Sequence, residues 1–137
     1  MVRFIFVSIV GGVIFGVLDG LLNANPLAQR LYAFYKTIAR PSVNVVAGVA
    51  IDFAYGFAMA GVFLLLYRSL PGEAGWIKGL SYGLVVWFFR VVMSVAAQWV
   101  MFNIPPTTLA YSLIAGLLEM LVLGIFYGLA LRPSHLP

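Results

Sequence analysis

Residues 79–131 read GLSYGLVVWFFRVVMSVAAQWVM, then FNIPP, then TTLAYSLIAGLLEMLVLGIFYGLAL. Two long apolar runs flank a short uncharged turn, and each run carries one charge near its middle: Arg90 in the first and Glu119 in the second. Each run has the roughly 20 residues that a helix needs to cross a bilayer's hydrocarbon core. Counting at about 1.5 Å per residue from the Pro-Pro turn puts Arg90 and Glu119 at one depth, roughly 18 Å in. The pair predicts a tight helical hairpin built around a polar interior.

Working outward, two more such runs precede this pair. The four spans are predicted over residues 4–22, 43–67, 79–101 and 107–131. Inside lipid only helices and closed barrels satisfy every backbone N–H and C=O, and these runs lack the short alternating segments of a barrel. The expected fold is therefore an all-α integral membrane protein. It is one domain over residues 1–137, a four-helix bundle of two antiparallel hairpins. The apolar run after Met1-Val2-Arg3 resembles a signal peptide but is long enough to span, and it reads as a retained first helix.

Composition agrees. The chain has 137 residues, 64% of them hydrophobic and 9% charged, against roughly 45–50% apolar and about 25% charged in soluble domains. With no cysteine and a single histidine, His135, thiolate chemistry and a histidine metal cluster within one chain are excluded, and no cofactor is expected. The net charge of +4 comes from basic residues that mostly flank the apolar runs. That pattern suits lipid headgroups and topology control rather than nucleic acid. The distribution leans to both termini in the cytoplasm of a cell (inner) membrane.

The first connection has a pattern of its own. Asn25 and Pro26 suit a helix start. Over residues 26–40, Leu27, Leu31, Phe34, Tyr35 and Ile38 share one face, and Arg30, Lys36 and Arg40 lie opposite. This predicts an amphipathic helix in the interface, either a solvated connector or a docking element for anionic lipid or a partner.

Three of the four acids lie within or at the edge of apolar runs: Asp19, Asp52 and Glu119. An ionisable group at the centre of a span costs about 2.5–3.5 kcal/mol on insertion scales, so it faces the bundle interior and finds partners. Depth counting puts Asp52 roughly 14 Å in, in the layer of Arg90 and Glu119, and leaves Asp19 only about 5 Å deep. Helical spacing extends these positions into stripes. Ser8, Gly12, Gly16 and Asp19 share a face, as do Asn44, Gly48, Asp52, Tyr55 and Gly56. In the third run the stripe is Gly83, Trp87, Arg90, Ser94 and Gln98. In the fourth it is Ser112, Gly116 and Glu119. Gly12, Gly16 and Gly20, and Gly124 with Gly128, read as sites of close helix approach. The Gly-xxx-Gly spacing at 12 and 16 recurs at 79 and 83, which a duplicated hairpin or chance would both produce.

The expected centre is thus a cluster of Arg90, Glu119 and Asp52, with Asp19, Asn44, Tyr55, Trp87, Ser94, Gln98 and Ser112 around it. Arg90 and Glu119 are expected to form a buried salt bridge, which would fix the hairpin's register or belong to a functional site. Asp52 then lacks a cation, and an uncompensated acid in lipid favours its neutral form. Two functions follow. One is a non-enzymatic subunit or assembly component, in contact with the lipid bilayer and held in a homo-oligomer or with other membrane subunits. The other is a small proton- or ion-coupled transporter or channel. An enzyme acting on a lipid or quinone is disfavoured, because no nucleophile–base spacing is present.

Overall fold

The computed structural model describes residues 2–33, 35, 44–73 and 75–131, and these are helical with no strand among them. Helix α1 spans Val2–Asn23, α2 Pro26–Leu31 and α3 Val45–Leu66. A 3₁₀ turn at Tyr67–Ser69 prolongs α3. Then come α4 (Gly75–Trp87), a π-helical turn (Phe88–Val92), α5 (Met93–Met101) and α6 (Pro106–Ala130). Four continuous segments, Val2–Asn23, Val45–Ser69, Gly75–Met101 and Pro106–Ala130, are long and apolar enough to cross a membrane.

The third span starts at Gly75 rather than at 79, for two reasons. A Cβ at position 75 would run into the carbonyl of Gly128, so Gly75 already belongs to a helix contact. Lys78 acts as a helix-end cation: its ammonium donates to the carbonyls of Tyr67 and Leu70, each at 2.8 Å, and lies over the Tyr67 ring. Arg3 does the same for α6, its Nε donating to Ala130 O at 2.8 Å. Both cations answer the unpaired carbonyls that every helix C-terminus leaves.

Small residues set the packing. Along α4 and α6, Gly75 meets Gly128, Gly79 meets Gly124, and Gly83 meets Met120 and Leu121, so residue numbers rise on one helix as they fall on the other. Along α1 and α3, Gly56 abuts the backbone of Ser8 and Gly12, and Gly12 abuts that of Asp52 and Phe53. Helix α1 also packs on α6. Backbone contacts therefore run in the order α3, α1, α6, α4. Without a hydrophobic drive between helices in lipid, such close approach supplies the van der Waals contact that holds spans together.

Helices α3 and α4 come together through side chains instead. Phe63, Tyr82, Met120, Leu123 and Tyr127 are fully buried. Tyr82 donates to Met59 O at 2.7 Å and Tyr127 to Gly56 O at 2.8 Å. Each phenol buries its ring and pairs its hydroxyl with backbone, as a tyrosine in an apolar core must.

Helix α2 is a single short element. Asn25 caps it by accepting from Ala28 N at 2.9 Å, and Ala28 is fully buried. Of the basic face expected over 26–40, Arg30 is exposed, while Lys36 and Arg40 lie outside the described residues, as do Phe34 and Ile38. Three polar contacts tie this segment to the start of α6: Asn25 Nδ2 donates to Tyr111 OH at 2.9 Å, Thr108 Oγ1 donates to Leu31 O at 2.6 Å, and the Tyr32 and Ser112 hydroxyls share a hydrogen bond of 2.8 Å. Tyr111 OH in turn donates to Leu22 O. Burial pushes the Tyr32 phenol above its ordinary range, so it stays neutral at that bond.

Candidate intramembrane polar site

The expected buried salt bridge between Arg90 and Glu119 does not form. Arg90 is exposed, and its guanidinium lies over two aromatic rings, 5.3 Å from the centroid of Phe15 and 5.0 Å from that of Tyr55. Those two rings are stacked on each other at 4.2 Å. The cause of the difference is the π-helical turn at Phe88–Val92, in which Met93 N–H reaches back to Phe88 O. A π turn inserts one residue into the α-helical count. The stripe that begins at Gly83 and Trp87 therefore continues at Val91 and Val95, which are buried, instead of at Arg90 and Ser94, which are exposed. Val91 takes the place against α6 that Arg90 was expected to hold: a Cβ on Gly116 would stand 2.7 Å from it.

Glu119 stays where its stripe put it. It is buried, with 4% of its surface exposed. The charged groups around it are Asp19, Arg90 and Asp52. Glu119 Oε1 has no hydrogen-bond partner among the described residues.

Asp19 lies one turn before the end of α1, and the bundle continues beyond that end. Leu22, near that end, lies level with Tyr111, and α2 covers the step beyond it against Thr108. Asp19 is further held by Asn23, whose Nδ2 donates to its Oδ1 at 2.9 Å.

Asp52 is half-buried and turned to α1, where a Cβ on Gly16 would stand 2.8 Å from its Oδ2. It lines a groove of about 310 Å³ with Gly12, Val13, Gly16, Val17 and Val49. A second, apolar recess of about 240 Å³ lies between α3 and α4, bounded by Tyr55, Met59, Val62, Tyr82 and Val86.

The surrounding residues have mostly structural partners. Asn44 is exposed and caps α3 through Ala47 N. Trp87 donates from Nε1 to Leu113 O at 2.9 Å and so fastens α4 to α6. Gln98 donates to Ser94 Oγ at 3.3 Å and accepts from Tyr35 OH at 3.4 Å. Ser112 serves the α2 contact with Tyr32.

The structure thus sets Arg90 on the rings of Phe15 and Tyr55, keeps Glu119 buried on α6 and places Asp52 on the α1–α3 groove. Among the described residues no group of three or more histidine, cysteine or acidic side chains could hold a metal ion. Compared with protein-family models, curated proteins and solved structures, the chain matches none.

Proposed function

We propose that the protein is a non-enzymatic subunit or assembly component of a membrane complex or homo-oligomer. In this reading its spans form two antiparallel hairpins, α1 with α3 and α4–α5 with α6, and α2 with Arg30 lies at the headgroups. The observation that carries the proposal is the exposure of Arg90. Arg90 lies about 16 Å from the nearer end of its span, too deep for its head to reach the surface by bending toward it. Its five N–H donors make no hydrogen bond among the described residues. Two aromatic faces offset part of the cost of placing it there, about 0.5–2 kcal/mol, against about 2.5–3.5 kcal/mol for the charge at mid-span. A neighbouring chain that brings an acceptor would supply the rest. The same span carries exposed Phe89 and Met93 beside Arg90, which gives such a neighbour an apolar surface to cover.

The chain's lack of cysteine makes the test clean. Single cysteines at Phe89 and Met93, on the Arg90 face, are expected to cross-link to a partner or a second copy in native membranes. The yield should be several-fold above that of a cysteine at Leu65, which is 83% exposed on another span. Equal yields at all three positions would remove the Arg90 face as an interface.

A second reading, a small proton- or ion-coupled transporter or channel, is favoured by the unpartnered oxygen of Glu119. Flux in liposomes that disappears in Glu119→Gln or Asp52→Asn would support it. Unchanged flux in both variants would take these acids out of any transport pathway.

A further inference from the structure

Arg90 and Asp52 carry opposite charges inside the span region, and neither makes a hydrogen bond or an ion pair among the described residues. They stand at nearly one depth. Arg90 lies over the ring of Tyr55, and Tyr55 follows Asp52 along α3 by three residues, a step of about 4.5 Å. Yet the two charges are presented on different sides of the α1–α3 pair. On α1, Phe15 is buried beneath the guanidinium, while Val13 and Val17 are exposed and line the groove that holds Asp52. Gly16 backs that carboxyl, since a Cβ there would stand 2.8 Å from Asp52 Oδ2. The chain thus offers a cation on one side and, on another, an anion seated in a groove of about 310 Å³. Each is costly while unpaired in hydrocarbon, and pairing them with each other relieves both.

We propose that the groove between α1 and α3 is the docking site for Arg90 of a second copy, with Asp52 as its acceptor, so that copies associate head to tail. This rests on the reading of Arg90 as an interface residue, and it names the partner and the acceptor. A guanidinium presents paired N–H donors that match a carboxylate. Copies inserted in the same orientation bring Arg90 of one level with Asp52 of the next, within the length of an arginine side chain. The surroundings match as well. Exposed Phe89 and Met93 flank Arg90, and Val13, Val17 and Val49 rim the groove, so apolar contact would cover the ion pair on both sides. A second copy suits the groove better than a foreign subunit, because this chain already carries both halves of the pair. Contacts between unlike faces form a closed ring when the rotation between copies closes, and a closed ring leaves neither charge unpaired.

Two full-length copies with different tags, co-expressed in one membrane, test this. One carries Phe89→Cys and the other Val49→Cys, in a chain that has no other cysteine. Thiol cross-linking in native membranes is expected to give a product with both tags, several-fold more than when Leu65→Cys replaces Val49→Cys. If Phe89→Cys links only to its own counterpart or to another membrane protein, the proposal is overturned and the subunit reading stands. If it links to nothing, both fall. Charge exchange gives a second test. Arg90→Asp alone and Asp52→Arg alone each set like charges against each other, so neither should assemble. Co-expressed, they restore opposite charges at every contact, and assemblies carrying both tags should return. No recovery from two variants that are each folded in the membrane would overturn the proposal. If either variant fails to fold, the cross-link between residues 89 and 49 still decides the matter.

Discussion

Gly79→Leu is expected to drive α4 away from α6 and to leave little folded protein in mild detergent. A Cβ at position 79 would collide with the carbonyl of Gly124 and would stand 3.0 Å from Ile125 Cα. These are backbone atoms of a helix held on both sides, so no side chain can turn aside to make room. Forcing extra carbon into a well-packed site costs roughly 1–3 kcal/mol. Gly79→Ala should fall in that range, and Gly79→Leu should exceed it because its branched end has nowhere to go. Gly61 is the control, since nothing lies within 4 Å of a Cβ placed there. Gly61→Ala should be neutral, or stabilising by up to about 1 kcal/mol, because alanine is the better helix former. Thermal unfolding followed by circular dichroism separates these outcomes. Equal melting of Gly79→Leu and wild type would contradict the α4–α6 contact.

Asn25→Ala is expected to cost about 2–3 kcal/mol, the sum of a lost helix cap and of lost bonds to the neighbouring segments. The Asn25 side chain accepts from Ala28 N. It also donates to the carbonyls of Leu21 and Leu22 and to Tyr111 OH, each at 2.9 Å. It closes α1, starts α2 and fastens both to α6. Hydrogen exchange should quicken at Ala28 and along α2, while the α4–α6 contact keeps its protection. Asn25→Asp should recover part of the loss, because a carboxylate can accept from Ala28 N but cannot donate to Tyr111. A melting temperature unchanged in Asn25→Ala would mean that α2 is not held in this way.

Much of the architecture was legible in the residues because lipid leaves the backbone few choices. Four runs of sufficient length and low charge meant four helices, and their limits shifted by a few residues at most. The glycines at 12, 124 and 128 were legible as close approaches because a small residue has few other uses on a span, whereas nothing lies within 4 Å of a Cβ placed on Gly20, which reads the same way in sequence. Arg90 was misread for a local reason. A stripe drawn at 3.6 residues per turn assumes an unbroken α-helix, and nothing in Phe88–Val92 announces a π turn. One extra residue there exchanged Arg90 for Val91 on the face toward α6. The seat of α2 on α6, past the end of α1, depends on Asn25, Thr108, Tyr111 and Ser112. Of those, Asn25 had a visible role as a cap, whereas its bond to Tyr111 joins residues far apart in sequence and has no local signature. Tyr55 was assigned to the right stripe, but its partner Phe15 was not singled out, since an apolar residue in an apolar helix carries no mark of contact with a cation.

An exposed arginine at mid-span is the feature that most requires a second chain. Native mass spectrometry of the protein released directly from its own membranes measures this most directly. The expected result is a defined assembly, either a homo-oligomer or a stoichiometric complex with another membrane protein, which persists in mild release conditions. Recovery of the chain as a lone monomer under those conditions would contradict the proposed role as a subunit.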